Sequence, residues 1–598
     1  MLYAEVVLGL PVDGPFDYIV GVNLEDKVRV GSRVWVNFRN KKEVAYVVGL
    51  RHKTTIKKLK EISTLIDREP ILGPKLLELT HQLADYYCCS WGEAIEAALP
   101  DEIRKGKLVE IGDVPLSIGE RPLLRSLLLQ GSLRMEAYLK EIKLAIANRE
   151  SVIAIFTDVN AVLKASQVIQ QSLNITPQVL YRKQPAELQA WISVKQADFS
   201  VVLGTRSSIF APVNNLGLII IDQEQDQVYK QEQMPHYHAR EVALMRAKIE
   251  SARVIFGSSS PSLESFYLVQ SGQLEYQSIS SKNVYPQVKV IDLRRLAYAE
   301  RKSKTLFSKF LIDAIATTLT QKGKVLLFID RKGFATSAAC HNCGVALKCP
   351  RCNINLVFHF DEEKLKCHHC NFKMSVPKIC PSCNTGYIKY SGMGTEKVES
   401  ELSRIFPQAK IGGDIFVATS VVIKHQEVNF DLIGVLAIDN SLNRVDFRAA
   451  EKTFNLLMGL IGLTSKTIII QSANVNHHCF QALIKHDPEL FYKEELKQRK
   501  LLLFAPFKHM ILIRLRGKNL EKVKQLSSDL FSKLNKIKTS SLKMLSLNPG
   551  QPAQLRGNFY YQILMRAASV QKASHFLKLH LKEIHFSGII VTVDVDPI

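Results

Sequence analysis

Apolar and polar positions along this 598-residue chain follow two different periods. From residue 1 to about residue 65 they alternate with a period of two between turn residues, as in VRVGSRVWVNF and EVAYVVGL, which predicts a small β-rich unit. From 71 to 99 the apolar positions have helical periodicity, which stops at Pro100. We therefore expect an N-terminal domain at 1–104, followed by a polar linker at 105–122.

Short apolar runs separated by helical stretches come next, in two sets. The first set, at 123–275, contains SVIAIF, FSVVLGT, LGLIIID and ARVIFGS. The second set, at 276–337 and 388–490, contains KVLLFID, DIFVATS, LIGVLAID and KTIIIQ. Buried strands that alternate with crossover helices predict two domains, each built on a parallel sheet.

Two further regions complete the predicted organisation. Residues 338–387 form a cysteine-rich insert within the second set, and residues 491–598 alternate strands such as MILIRLRG with amphipathic helices. The last region is expected to be an α+β domain. The predicted fold class is therefore α/β and multidomain.

The charge of the chain indicates the class of partner. A formal net charge of +22, spread along the chain, favours nucleic acid, because neutralising phosphates releases counterions. Solvated lysine faces on a lysine-rich protein are the alternative. No signal-peptide pattern and no apolar run long enough to span a bilayer are found, so the sequence predicts a cytoplasmic protein.

Eight of the 11 cysteines lie in four C-x-x-C pairs: Cys340/Cys343, Cys349/Cys352, Cys367/Cys370 and Cys380/Cys383. Each pair can place two thiolates on one side of a tight turn, and two pairs complete a tetrahedral zinc site. A disulfide ladder is the alternative, which a reducing cytosol disfavours. The segment NINLVFHFDEEKLK between the inner pairs is expected to form a hairpin, which favours nested sites, although spacing alone also allows two sequential sites.

Taken together, several motifs resemble those of PriA, a family of bacterial replication-restart DNA helicases. Besides the cysteines, the motifs are FDY (16–18), ADYY (84–87), GTRSSIFAP (204–212), YHAREVALMRAK (237–248), GSSSPSLES (257–265), RKGF (331–334), GMGTEKVE (392–399), DFRAAEKTFNLL (446–457) and DVDP (594–597). The resemblance implies an N-terminal domain that captures the 3′ end of a nascent strand at a fork, two RecA-like helicase lobes, a two-zinc insert in the second lobe and a C-terminal DNA-binding domain.

The resemblance also implies a function and a set of partners. The expected function is primosome assembly and reloading of the replicative helicase at stalled or abandoned forks. The expected partners are forked and single-stranded DNA, single-stranded-DNA-binding protein and the primosome or helicase-loader proteins, in a nucleoid-associated, cytoplasmic setting.

Site residues also follow from the resemblance. It implies one zinc at Cys340, Cys343, Cys380 and Cys383 and a second at Cys349, Cys352, Cys367 and Cys370. It further implies a 3′-end pocket in which Phe16 and Tyr18 stack on the terminal base, Asp17 accepts a base-edge hydrogen bond and Lys60 contacts phosphate. The alternation of strand residues places Phe16 and Tyr18 on one side and Asp17 on the other, and the alternative is that the aromatics are core. Arg39 replaces a glycine of the family.

Further departures from the family remove whole segments or change residues of the nucleotide site. A winged-helix domain and an adenine-reading segment are missing where the linker stands. Arg134 takes the place of the phosphate-loop lysine and Met135 that of the hydroxyl that holds magnesium, while Gln223, next to Asp222, replaces the carboxylate that positions the attacking water. Leu463 stands where an arginine would meet the transferred phosphate.

The resemblance and the cysteine pairs together predict a replication-restart protein with two zinc ions. The losses predict that it has no bound ATP and magnesium and little or no helicase activity. An active ATP-dependent 3′ to 5′ helicase with atypical motifs is the alternative. A zinc-containing RNA-binding protein is a third interpretation.

Overall fold

The computed structural model of the protein describes residues 1–598 except for a set of short segments. The residues outside its description are 57, 112–124, 280–284, 296–305, 331–336, 341, 344, 346, 351–355, 360–363, 368–371, 386–387, 392–394, 420–421, 424–428, 445, 538–540, 583–587 and 598. The motif RKGF, the first three residues of GMGTEKVE and most of the predicted linker therefore lie outside the described residues.

The N-terminal domain is an antiparallel sheet with three helices. Its elements are β1 (Leu2–Leu8), β2 (Phe16–Val20), β3 (Arg33–Phe38), β4 (Lys41–Arg51), β5 (Thr64–Leu65), α1 (Pro74–Tyr87), α2 (Trp91–Ala98) and α3 (Asp101–Arg104). The sheet order is β2-β1-β4-β3-β5. Pro74 occupies the first turn of α1, and Ser90 with Glu93 forms a capping box at the start of α2, so the predicted helical region is two helices.

The first lobe is a seven-stranded parallel sheet with helices between its strands. Its elements are β6 (Leu127–Gln130), α4 (Arg134–Ala147), β7 (Ser151–Ile155), α5 (Val159–Leu173), β8 (Gln178–Leu180), α6 (Glu187–Gln196), β9 (Val201–Gly204), β10 (Leu216–Asp222), α7 (Ala239–Glu250), β11 (Arg253–Ser258), α8 (Leu263–Gln270) and β12 (Glu275–Ser278). The order is β12-β6-β11-β10-β7-β9-β8. Because β12 pairs with β6, the first lobe extends beyond the predicted boundary at residue 275.

The second lobe begins with β13 (Gln287–Asp292), α9 (Lys309–Thr320) and β14 (Val325–Ile329). The insert follows, as an antiparallel sheet of β15 (Ser337–Cys340), β16 (Val357–His359), β17 (Lys364–Lys366), β18 (Lys373–Ser375) and β19 (Ile388–Ser391). Because β15 and β19 pair at its base, the insert extends slightly beyond the predicted 338–387.

After the insert the second lobe resumes. Its remaining elements are α10 (Thr395–Ile405), β20 (Ile415–Ala418), β21 (Phe430–Leu436), α11 (Asp439–Leu442), α12 (Ala449–Ile461), β22 (Thr464–Ser472), α13 (His478–Ile484) and α14 (Pro488–Leu502). The parallel sheet has the order β13-β22-β21-β14-β20. The predicted domain boundary at residue 491 falls inside α14, whose Phe491 stacks on Phe454 in this lobe's core at 4.0 Å.

The C-terminal domain is an antiparallel sheet with helices on one face. Its elements are β23 (His509–Gly517), α15 (Leu520–Lys536), β24 (Leu542–Leu555), β25 (Asn558–Ala567), α16 (Val570–Lys582) and β26 (Ile589–Val595), with the sheet order β24-β25-β23-β26. Alternate residues of β23 pack against α15, and the residues between them face the other side of the sheet.

The N-terminal domain, the first lobe and the C-terminal domain share one core. Tyr87 accepts a hydrogen bond from the His238 amide at 2.9 Å, and the Ser574 hydroxyl donates to the Tyr86 carbonyl at 2.7 Å. The described part of the predicted linker also packs against the N-terminal domain, because Val109 is buried and its amide donates to Asp67. None of the described helices combines the length and apolar character needed to cross a bilayer.

Candidate functional site

The predicted 3′-end residues lie on two faces of β2. Tyr18 is buried in the domain core and donates to the Asn37 carbonyl at 3.2 Å, and Lys60 donates to the Asn37 side chain at 3.2 Å. The Phe16 ring lies 5.1 Å from that of Phe38. Phe16, Tyr18 and Lys60 therefore come together around β3, and Tyr18 also fits the alternative interpretation as a core residue.

Asp17 points to the opposite face, as the strand alternation predicts. Its carboxylate is buried, pairs with Arg51 and accepts a hydrogen bond from Thr54 at 2.5 Å. Burial opposes ionisation, but the hydrogen bonds from Arg51 and Thr54 outweigh it and lower the pKa of Asp17. The structure thus does not bring Asp17 into one pocket with Phe16, Tyr18 and Lys60.

The outer cysteines form a compact cluster at the base of the insert. Sγ of Cys340 lies 3.6 Å from Cys383, and Sγ of Cys343 lies 3.8 Å from Cys380. All four sulfurs lie within 4.8 Å of one another. Sulfurs around a tetrahedral zinc with Zn–S bonds of about 2.3 Å are roughly 3.8 Å apart, so this set fits a closed zinc site.

The inner cysteines are described only in part. Cys349 and Cys367 are buried together in the core of the insert, whereas Cys352 and Cys370 lie outside the described residues. The hairpin expected between the two inner pairs is present, because β16 pairs antiparallel with β17. Together with the outer cluster, this arrangement agrees with nested rather than sequential sites.

The residues predicted to replace the family's nucleotide site lie where β6, β10 and β11 end. These strands are parallel neighbours, so Gln130, Asp222 and Ser258 meet at one edge of the sheet. Arg134 begins α4 after a short turn at Gly131, whose φ of 138° suits glycine. The Arg134 guanidinium donates to the Gly131 carbonyl, so the predicted phosphate loop closes on its own arginine.

Asp222 has two partners within the protein. Its Oδ1 atom accepts from Arg134 Nε at 2.9 Å and from the Tyr138 hydroxyl at 2.8 Å. Burial disfavours the charge of Arg134, but the Asp222 carboxylate outweighs this effect and raises the pKa of the guanidinium. A Cβ atom on Gly257 would lie 1.5 Å from the Tyr138 oxygen, so the glycine makes room for this cluster.

The residues after Asp222 are hydrogen-bonded to one another and to the end of β11. Gln223 has a φ of 52°, and its Oε1 atom accepts from the Gln225 side chain at 2.9 Å. Gln225 in turn accepts from Ser258 at 2.6 Å. Both glutamine side chains are therefore engaged with protein groups.

The other predicted nucleotide-site positions are packed into the cores of the lobes. Met135 contacts the core of the first lobe. Leu463 is buried in the second lobe, where its carbonyl accepts from the Phe430 amide at 2.9 Å, at the amino ends of β21 and β22. Neither position presents a polar group to the Arg134 and Asp222 pair.

Buried charges join the two lobes. Arg448 of the second lobe pairs with Glu264 of the first at 2.6 Å, and Glu451 accepts from the Leu263 amide at 2.9 Å and from Arg499 at 2.8 Å. Burial would raise the pKa of Glu264, but the nearby arginines hold it well below its ordinary value. The lobes therefore meet through an ionic contact that needs no ligand.

Three family models match separate parts of the chain. The model described as the 3′ DNA-binding domain matches residues 5–100. The model described as the Cys-rich region domain of PriA DNA helicase matches 349–374, which spans the inner cysteines, and the model of the primosomal protein N C-terminal domain matches 500–598.

Full-length relatives agree with these matches. The chain is 29% identical to replication restart protein PriA of Bacillus subtilis over 78% of this chain and 63% of that protein, which is less than two thirds of its length. It is 27% identical to PriA of Treponema pallidum over 100% of this chain and 99% of that protein. It is 30% identical to PriA of Chlamydia trachomatis over 78% of this chain and 67% of that protein.

The chain belongs to the PriA family. The predicted fold class is confirmed: a β-rich DNA-binding domain, two RecA-like lobes, a Cys-rich zinc-binding region in the second lobe and an α+β C-terminal domain. As predicted, the chain is a member of a replication-restart protein family and contains a DNA-binding domain.

Sequence reasoning missed several residues that the PriA fold brings together. Tyr138 showed no signal except its place one helical turn after Arg134. The motif DVDP was noticed only as a family feature, whereas Asp594 pairs with buried Lys230 of the first lobe at 3.0 Å and so joins two domains. Such partners are far apart in sequence, and no local pattern identifies them.

Proposed function

We propose that this PriA-family chain acts at stalled or abandoned replication forks as a DNA-binding platform that promotes primosome assembly without ATP-driven unwinding. The DNA-binding N-terminal domain and the family membership support the first part. The partners implied are forked and single-stranded DNA, single-stranded-DNA-binding protein and the proteins that load the replicative helicase.

The observation that carries the second part is the pairing of Asp222 with Arg134 and Tyr138. A phosphoryl-transfer site needs a cradle for phosphates, a metal, a positioned water and a charge that stabilises the transferring group. Here a side chain of the protein has taken the carboxylate that would hold magnesium, and Gln223 cannot take up a proton from water. Losing one stabilising group commonly costs a rate factor of about a hundred or more, and the losses act on a single catalytic unit.

The two cysteine sets are proposed to hold two structural zinc ions. Cys340, Cys343, Cys380 and Cys383 would hold one, and Cys349, Cys352, Cys367 and Cys370 the other. With four thiolates each, neither site keeps an open coordination position, so the metals would stabilise the insert and perform no chemistry.

The N-terminal domain is proposed to recognise the 3′ end of the leading strand. Phe16 and Lys60, on one face of the domain, would contact the terminal base and a phosphate. Both carboxylate oxygens of Asp17 are bonded, one to Thr54 and one to Arg51. Asp17 would therefore have to release one of these partners before it could accept a hydrogen bond from the base edge.

The test is a paired measurement on purified protein: ATP hydrolysis with and without single-stranded DNA, and binding to forks with free or blocked 3′ ends. We expect hydrolysis equal to that of the buffer and tight fork binding that is stronger for the free 3′ end. The variant Gln223→Glu is expected to stay inactive, because it restores only one of the missing groups.

Hydrolysis that depends on single-stranded DNA and disappears in Asp222→Asn would overturn the proposal in favour of an active helicase. The asparagine keeps the size of the side chain and can still accept from Tyr138, so lost turnover would not merely reflect lost folding. Preference for structured RNA over forks at equal salt would instead favour an RNA-binding function.

A further inference from the structure

The turn between β3 and β4 holds an arginine in a strained backbone conformation. Phe38 pairs with Lys41, so Arg39 and Asn40 form a two-residue turn, with φ values of 49° and 64°. Turns with positive φ at both positions favour asparagine and glycine, because a Cβ atom crowds the backbone there. Asn40 suits its position, whereas Arg39 stands where the family has a glycine. The turn itself therefore gains nothing from this arginine.

The side chain of Arg39 extends over a pair of aromatic rings. Its guanidinium carbon lies 5.3 Å from the centroid of the Phe38 ring. The Phe38 ring lies 5.1 Å from the Phe16 ring, at an angle of 55°. Both rings are half-buried against the core of the domain and keep an exposed part. The cation–π contact holds the guanidinium beside the exposed part of the rings before any ligand arrives.

A second cation lies at the same end of β3. Lys60 is exposed and donates to the side chain of Asn37, the residue before Phe38. Among the described residues, no carboxylate pairs with Arg39 or with Lys60. Cations without a counter-charge, next to partly exposed rings, are typical of sites that stack on a base and hold its phosphates by charge.

We propose that Arg39 binds a phosphate group on the last nucleotide of the strand captured by the N-terminal domain, and that this group is a terminal 3′-phosphate. The chain would therefore prefer DNA ends that carry a 3′-phosphate to ends that carry a 3′-hydroxyl. The inference rests on the proposed 3′-end recognition and adds to it the chemistry of the end.

The chemistry of the arginine fits a terminal phosphate. A phosphate monoester carries a charge of about −1.5 to −2 at neutral pH and has three strongly accepting oxygens. A phosphodiester within the strand carries less charge and has fewer free oxygens. The planar guanidinium can donate two parallel hydrogen bonds to such a group, whereas the ammonium of Lys60 acts as a point charge. A glycine at position 39 would offer no side-chain donor.

The test compares forks whose leading strand ends in a 3′-hydroxyl, a 3′-phosphate or a bulky blocking group, by fluorescence anisotropy at fixed salt. The parent protein is expected to bind the 3′-phosphate fork roughly tenfold more tightly than the 3′-hydroxyl fork. Arg39→Gly should remove this preference, and Arg39→Lys should keep only part of it. Because glycine relaxes the turn, a lost preference in Arg39→Gly would not reflect lost folding.

Arg68→Gly is the matched control, because it removes the same charge from an exposed position after β5, beyond the Arg33 end of β3. It should keep the preference for the 3′-phosphate. Equal binding of the two ends by the parent protein, or a preference that survives in Arg39→Gly, would overturn the inference. So would a loss in Arg39→Gly that is equal for both ends, because Arg39 would then contact an internal phosphodiester.

The fork with the bulky block separates this inference from the proposed function. If it binds more weakly than the 3′-hydroxyl fork while the 3′-phosphate gives no advantage, the proposed 3′-end recognition stands and the role of Arg39 is wrong. If it binds as tightly as both other forks, the 3′-end recognition is wrong and the inference falls with it.

Discussion

The outer cysteine cluster and the predicted nucleotide site both bring ligand-type side chains together. Only the predicted nucleotide site already contains its own counter-charge, in the pair of Asp222 and Arg134. At the cysteines, four sulfurs lie within 4.8 Å of one another. At the nucleotide site, Asp222 is 2.9 Å from Arg134 and 2.8 Å from the Tyr138 hydroxyl. The first set presents one kind of ligand atom toward a common centre, whereas the second already contains its counter-charge.

This difference indicates which ligand each site would bind. Four converging thiols become an energetically favourable set when a metal replaces their protons, because zinc binds thiolates. A carboxylate paired with a guanidinium cannot serve as a magnesium ligand until the ion pair separates. Similarity to a known motif is therefore weaker evidence for a ligand than the balance of charge at the site.

The largest expected effect is the loss of zinc. Binding of structural zinc contributes apparent free energies of roughly 10–16 kcal/mol in zinc-finger peptides, so removing one outer ligand should unfold the base of the insert. Cys340→Ser is expected to lower the metal content from two zinc ions per chain to one, measured by elemental analysis, and to make residues 338–387 sensitive to protease.

Cys88→Ser is the control for this change. Cys88 lies outside the insert, where its thiol approaches the Ser574 carbonyl at 3.8 Å. The variant should keep both zinc ions and the protease resistance of the insert. Full metal content in Cys340→Ser would show that the outer cluster is no zinc site and would remove the contrast between the two sites.

A smaller effect is expected from breaking the internal pair of the nucleotide site. Asp222→Ala leaves Arg134 mostly buried without its counter-charge, and we expect the free energy of unfolding of the first lobe to fall by about 3 kcal/mol. Urea denaturation can follow this lobe through the fluorescence of Trp191, which is buried in its α6. Magnesium and ATP should not stabilise the parent protein in the same measurement.

The double variant Arg134→Met with Asp222→Ala sharpens this result. If the two residues act as a pair, most of the lost stability should return, because the unpaired cation is gone. Strictly additive losses, or stabilisation of the parent protein by magnesium and ATP, would show that the site is open to a ligand after all.

The smallest effect concerns Glu96, a carboxyl group that forms no such ion pair with the described residues. Glu96 is a residue of α2 that lines a cleft. Burial raises the pKa of Glu96 to about 7, although Arg104 partly opposes the shift. A folded-state pKa above the unfolded value means that ionisation destabilises the fold, with the full effect above about pH 7 and almost none below the ordinary value of 4.5. Glu96→Gln should therefore raise the free energy of unfolding by about 1–2 kcal/mol at pH 8 and by much less at pH 5.

Trp91, which lies in the same helix, can report this change in urea denaturation at the two pH values. Glu102→Gln is the control, because Glu102 is exposed and paired with Lys107 at 2.8 Å. It should change stability little at either pH. A Glu96→Gln effect of equal size at pH 5 and pH 8 would show that burial of the ionised carboxylate is not its cause.

Much of the fold could be predicted, because its signals are local. The period-two segments became β1 to β4, the buried runs became the parallel strands of both lobes, and the cysteine spacing anticipated the cluster at the base of the insert. The boundaries near residues 275 and 491 were less accurate. β12 joins the first lobe by pairing with β6, and α14 joins the second lobe through the stacking of its Phe491 on Phe454. No local pattern reveals these contacts.

The sequence by itself determined which groups this protein has: four pairs of thiols, an arginine in place of a lysine, an amide in place of a carboxylate and an excess of positive charge. Only the tertiary structure decided which of these groups neutralise one another. Arg134 and Asp222 are 88 residues apart, and the partners that join the domains are also far apart in sequence. Asp17 pairs with Arg51 instead of lying beside the aromatic residues next to it. Electrostatic and hydrogen-bond energies depend on distances of a few ångströms, which the chain sets only when its strands and helices pack.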